Sequence, residues 1–160
     1  MDGVSTSTDL PTVEWLLRLA EINMADLAEF RKLGEMDCRF AVDIFDGGPD
    51  GSALIVQLFF DGFDVREIKQ IGETELESMD FVIETDRDSW QEMVDNIRAG
   101  DGQPDLDHTL NALSMAATPI RVWSSDPLGR DMFFRYNQSL QHFINNCARL
   151  WIAHQGREKP

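Results

Sequence analysis

The chain has 160 residues, enough for one sizeable core and few for two, and its apolar fraction of 42 %, with ten Phe and four Trp, excludes a disordered polymer. Its net charge of −15 is uneven: residues 119–160 carry +3 and residues 1–118 carry −18, a field that repels nucleic-acid phosphates and anionic bilayers. Nucleic-acid binding and stable membrane insertion are therefore not expected; the longest near-continuous apolar run, 53–60, is broken by Gln57 and falls far short of the ~20 residues of a span. The start, MDGVSTSTDLP, lacks the basic-then-apolar order of a secretory signal. Cys38 and Cys147 lie far apart within a strand-like and a helix-like pattern and read as buried, reduced thiols, so a cytoplasmic location is expected.

Residues 1–8 are rich in Ser and Thr and are expected to be mobile. Leu10-Pro11-Thr12 opens a helix, because proline is tolerated only in a first turn. Val13, Leu16, Leu17, Ala20, Met24 and Leu27 then recur at helical steps as far as Gly34. The division expected is an N-terminal arm and helix over 1–35, a domain over 36–152 and a tail over 153–160. A strand over 38–45 alternates Phe40, Val42 and Ile44 with Arg39, Ala41 and Asp43. The glycine-rich stretch 46–51 is a loop, leading to a strand over 53–60.

Asp61-Gly62 then reads as a two-residue type I′ turn, in which both central residues take positive φ. In the next strand Phe63 and Val65 share a face, but Ile68 is one position out of phase; a β-bulge near Arg66-Glu67 would restore the register, and an edge position would also tolerate the irregularity. The charged stretch 73–77 is a connection, and Met79, Phe81 and Ile83 alternate with Asp80, Val82 and Glu84 in another strand. A helix follows, for which Thr85-Asp86-Arg87-Asp88 offers several N-caps and Asp88 with Gln91 three residues on fits a capping box; its apolar face is Trp90, Met93, Val94 and Ile97, and Gly100 stops it. Pro104-Asp105 opens a short helix carrying Leu106, Leu110 and Leu113. A last strand covers 120–123. Asp126-Pro127 starts a helix of about five turns with Phe133, Tyr136, Leu140, Phe143, Ile144, Cys147, Leu150 and Trp151 on one side.

Motifs for chemistry are scarce. His108, His142 and His154 are scattered, and Asp105, Asp107 and His108, if helical, point in different directions as a solvated face. The chain has no HExxH, paired CxxC, G-x-S-x-G or phosphate-binding glycine loop, so no catalytic residue, metal or cofactor is assigned. Asp131, Arg135, Gln138 and His142 share a helix face that reads as solvated charge. Phe133 and Phe134 are adjacent and cannot both face one sheet, while Met115 lies in a loose Ala/Ser/Thr segment. Met93, Ile97, Leu106, Leu110, Leu113, Met115, Val122, Phe133, Phe134 and Tyr136 read either as plain core or as the wall of an apolar cavity, and the spare Phe and the loosely placed Met115 are the two features that point to the cavity.

The order of elements resembles that of the sterol-carrier-protein-2-like domains. The likeness rests on a strand ending in Asp61-Gly62, a strand opened by Asp80, the helix opening Asp88-Ser89-Trp90 closed by Gly100, and then a short helix, a strand and a C-terminal helix. It covers 36–152. The family's usual Gly-Lys pair before the last strand is replaced here by Ala116-Ala117-Thr118-Pro119, and the Gly after it by Ser124-Ser125-Asp126. The resemblance implies an α+β fold, a mostly antiparallel five-stranded sheet with helices packed on one face. It also implies non-covalent binding of a hydrophobic small molecule: a fatty acyl chain, a sterol or a polycycle. Two other readings stay open, an accessory subunit that presents such a molecule to a partner enzyme or forms a homodimer, and a small enzyme using Arg130, Asp131, Tyr136 or His142.

Overall fold

A computed structural model describes residues 12–48, 50–115 and 119–150. The expectations for the mobile start, Pro11, Ala116 to Thr118, Trp151, His154 and the tail lie outside the described residues. Thr12 caps helix α1 (Val13–Met24), its side chain accepting from Trp15 N at 3.1 Å. The buried stripe is Trp15, Leu16, Leu19, Ala20 and Asn23, with Leu17 turned outward, so the expected face is rotated. The expected single helix also breaks after Met24, and α2 (Ala28–Leu33) is a separate short piece.

Five strands form one sheet: β1 (Met36–Ile44), β2 (Leu54–Gly62), β3 (Asp64–Gln70), β4 (Phe81–Thr85) and β5 (Arg121–Trp123). Their order is β3-β2-β1-β4-β5. Every neighbouring pair is antiparallel except β1 with β4, which runs parallel with Phe40 opposite Phe81. This is the expected α+β class with its mostly antiparallel sheet. The bulge also falls where the phase slip put it: Phe59 pairs Glu67 and Phe60 pairs Val65, leaving Arg66 as the extra residue.

The hairpin differs in detail. Asp61 pairs Asp64, the connecting residues are Gly62 and Phe63, and of these only Gly62 has positive φ, +72°. That is the glycine-first order of a type II′ turn, not the type I′ centred on Asp61-Gly62.

The helices lie on the face of the sheet that carries Phe40, Val42 and Ile44. Helix α3 (Arg87–Ala99) is capped by Asp86, whose carboxylate accepts from Ser89 N at 2.7 Å, instead of by Asp88. Its Trp90, Met93, Val94 and Ile97 are buried as the spacing required. No helix forms at Pro104-Asp105; α4 (Leu110–Ser114) starts later, with Thr109 as cap. The expected long C-terminal helix is interrupted at Tyr136, dividing α5 (Pro127–Arg135) from α6 (Asn137–Asn145).

The other face of the sheet is not bare. A 3-10 segment (Glu73–Ser78), read from sequence as a mere connection, lays Leu76, with Met79 just beyond it, against Ala41, Ile55, Ile71 and Val82. Ala41 and Asp43 of β1 and Val82 of β4 are thus buried on the second face as Phe40, Val42, Ile44, Phe81 and Ile83 are on the first.

Candidate functional site

Alternation along β1 aims Phe40 and Val42 at the helices, where an aromatic floor forms. Phe40 stacks between Phe60 and Phe81 with ring centroids 5.9 and 4.9 Å away, while Phe143 and Phe133 meet Phe60 and Phe81 edge-on. Above this floor lies an internal void of about 20 Å³ lined by apolar side chains alone. Its walls are Leu16 of α1, Phe40 and Val42 of β1, Leu58 of β2, Ile83 of β4, Trp90 of α3, Leu110 of α4, and Leu140, Phe143 and Ile144 of α6. Leu110 is positioned by its own N–H, which donates to Gln141 Oε1 on α6 at 2.7 Å.

Helix α1 closes the layer from above and is fastened at one end. Asn23, fully buried, donates to Leu19 O at 2.9 Å and to Phe143 O at 3.2 Å, and accepts from Asn146 Nδ2 at 2.6 Å. At the other end Trp15 and Leu16 meet the core through apolar contact, Trp15 edge-to-face with Trp90 at 6.1 Å and 74°.

Of the ten side chains expected to wall a cavity, Leu110 alone lines this void. Met93, Ile97, Val122 and Phe133 are ordinary core, and Leu113 and Tyr136 are half-buried against it. Leu106 is 88 % exposed because 104–109 is loop and not helix; Met115 is 76 % exposed. Phe133 and Phe134 do part company, Phe133 inside and Phe134 largely outside under the Arg130 guanidinium. The expected wall of Phe133 or Phe134 with Tyr136 or Met115 does not border this void, whose walls come from β1, β2, β4, α1, α3, α4 and α6. The signal for it was present in the alternation of Phe40 and Val42 and in Leu16.

The polar candidates do not converge. Arg130 donates to Val122 O at 3.2 Å, Asp131 is exposed, and no hydrogen bond joins any two of Arg130, Asp131, Tyr136 and His142 among the described residues. His142 is not on a solvated face: it packs edge-on against Phe30 at 4.9 Å, and burial lowers its pKa. It borders an open polar groove of about 650 Å³ between α2, α6 and residues 101–103, rich in carboxamides such as Gln138, Gln141 and Asn145, which sequence reasoning did not find.

His108 also departs from the helix-face reading. Its Nδ1 lies 2.7 Å from Asp105 Oδ1 and its Nε2 2.8 Å from Glu92 Oε2, and the hydrogen bonds from Asp105 and then Glu92 raise its pKa. The pair pins the 104–109 loop to α3. Among the described residues no three His, Cys, Asp or Glu side chains are grouped to hold a metal ion, and no helix is long and apolar enough to cross a membrane.

Cys38 and Cys147 are buried and form no disulfide; burial, with Asp80 and Asp37 adding, raises the Cys38 pKa far above the usual thiol range. On the second face Asp43 stands in register with Glu84 of β4, and its buried Oδ1 has no hydrogen-bond partner. Burial first, then Glu84 and Glu73, push its pKa up to about 6. Glu84 itself accepts from Trp123 Nε1 at 2.6 Å and from Arg121 at 3.4 Å.

A central β1 flanked by an antiparallel meander and a parallel β4, with helices closing one face over an apolar layer, defines the fold of the sterol carrier proteins. The crystal structure of sterol carrier protein 2 matches with a TM-score of 0.61 over 84 % of this chain and 94 % of that one, at 18 % identity. A Thermus thermophilus protein, described as a conserved hypothetical protein and candidate sterol carrier, matches at 0.44 and 19 % identity over 70 % of this chain and 71 % of its own. No protein-family model matches the chain, and no curated protein does.

Proposed function

We propose that this protein binds and carries a hydrophobic molecule (a fatty acyl chain, a sterol or a polycycle) between its sheet and its helices, without chemistry. The observation that carries the reading is the void at that interface, lined by apolar side chains alone. The fold it shares with a protein named as a sterol carrier supports it. A void of about 20 Å³ holds no more than a water, so the layer must open to load. The end of α1 held by the apolar contacts of Trp15 and Leu16 is where it opens, while Asn23 keeps the other end fixed.

Burying about 14 methylenes at ~0.8 kcal/mol each yields roughly 11 kcal/mol, and at least ~4 kcal/mol is lost with rigid-body freedom. The remainder, about 7 kcal/mol, corresponds to a dissociation constant on the order of ten micromolar, before the cost of opening. Native mass spectrometry of the purified protein and titration with a fluorescent fatty acid test this. Saturable micromolar binding is expected; no retained lipid together with no binding at tens of micromolar overturns it. A second reading, an accessory subunit, draws on the nearly filled core and on the exposed Leu106, Met115 and Leu128. It takes first place if the protein binds no lipid and co-purifies with a defined enzyme.

A further inference from the structure

We propose that the molecule held in this layer carries an uncharged hydrogen-bond-accepting oxygen, and that Trp15 Nε1 donates to that oxygen at the mouth of the site; the proposal rests on the binding reading above. Trp15 is 4 % exposed, and its indole N–H is fully buried with no acceptor among the described residues. A buried donor left unpaired loses its hydration and regains nothing, so such groups are rare in folded proteins and point to a missing partner. Here the place of the orphan is telling. Trp15 precedes Leu16, a wall of the void, and its ring meets Trp90, another wall. It also sits at the end of α1 that lacks a polar clamp, the end that must lift to admit a ligand.

Water is a poor candidate for the missing partner. A buried water needs two to four polar neighbours, roughly three on average, and the void's walls offer apolar side chains alone. An amphiphile supplies its own acceptor and fills the apolar layer with its body. An anionic head is disfavoured for two reasons. Residues 1–118 carry −18, and a carboxylate buried here meets no Lys, Arg or His among the void's walls. Arg18, the cation of α1, is exposed and already paired with Glu14 at 3.1 Å. The ligand head that fits is a hydroxyl, ketone or ester oxygen.

Isothermal titration of wild type and Trp15→Phe with 1-decanol, decane and decanoate tests the assignment. Trp15→Phe keeps an aromatic ring against Trp90 and removes the donor. The expected result is a fall of about five- to tenfold in affinity for 1-decanol, with decane unchanged within about twofold. Decanoate binds wild type more weakly than 1-decanol. A loss that is equal for 1-decanol and decane, or no loss for either, overturns the role of Trp15 and leaves the binding reading standing. Failure of all three, and of the longer fluorescent fatty acid, to bind wild type overturns both. Should Trp15→Phe not fold, the wild-type indole N–H resonance of Trp15 decides: 1-decanol moves it downfield and decane does not, and an equal response to both overturns the proposal.

Discussion

Arg39 and Asp80 close the entrance to the parallel strand pair by bonding to each other twice. Arg39 N donates to Asp80 Oδ2 at 2.7 Å, and Asp80 N donates to Arg39 O at 2.7 Å. One residue further on, Phe40 and Phe81 begin the ladder. The Asp80 carboxylate thus stands in for the strand carbonyl that the chain has not yet supplied. Asp80→Ala leaves Arg39 N–H without that acceptor and is expected to cost ~1–3 kcal/mol in urea denaturation; Asp80→Asn, which keeps an acceptor oxygen, costs less. Equal losses for the two would mean the carboxylate acts by charge.

Gly129 is fixed by the same strand end. A Cβ there would lie 1.8 Å from Asp80 O and 2.3 Å from Ser124 Oγ, so α5 rests directly on the backbone before β4. Gly129→Ala should destabilise by ~1–3 kcal/mol or more, since Asp80 O is main chain and cannot step aside. Thermal denaturation within a degree of wild type would show that α5 is seated elsewhere.

Asp43 makes stability fall as pH rises. Its pKa goes from 3.8 to about 6 on folding, through burial first and then Glu84 and Glu73, so the folded state holds the proton more tightly than the unfolded chain. The resulting stabilisation is complete below about pH 4 and is lost as pH climbs through about 6. Asp43→Asn removes it. Relative to wild type the variant gains stability as pH rises from about 3.5 to about 7, by about 3 kcal/mol in all, when both are unfolded in urea across that range. A difference that does not change with pH means Asp43 titrates normally.

Val42 borders the void, and Val42→Ile adds one methylene to it. At ~24 cal/mol per Å³, filling a void of about 20 Å³ returns about 0.5 kcal/mol to the ligand-free protein. The same methylene competes with the ligand. A raised melting point with weaker fatty-acid binding is the expected pair of results; a raised melting point with unchanged binding places the ligand away from this void.

Much of the fold was legible where residue type leaves one option. Asp126 caps a helix with Pro127 in its first turn, as the pair required, and Ile68's phase slip located the bulge at Arg66, whereas the first helix begins at Val13 with Thr12 as a cap that was not foreseen. The breaks at Ala25 and Tyr136 were not legible, because apolar spacing continues through both: Phe133 and Leu140 are two turns apart and both buried. Leu76 as a cover for the second face was hidden within a run of acidic residues, and Met79, read as a strand residue sharing the face of Phe81 and Ile83, instead precedes that strand and packs with Leu76 on the opposite side. The site was the least legible part. Looking for a cavity among the helices passed over the strand residues Phe40, Val42, Leu58 and Ile83, which form its floor, and over Leu16 in an arm set apart as a separate unit.

The one parallel pairing sets the order in which the chain can assemble. β1, β2 and β3 meet through local antiparallel hairpins, whereas β1 and β4 must join across the whole meander, Phe40 finding Phe81 some forty residues later. Closing that loop costs chain entropy before any contact of the second half is gained, which makes it the natural barrier. Shortening Phe81 to Leu should therefore slow folding nearly in proportion to the stability it removes, while a substitution at Leu140, which docks afterwards, should instead hasten unfolding. Stopped-flow refolding of the two variants separates these histories, and a reversal would mean that the helices gather before the sheet is whole.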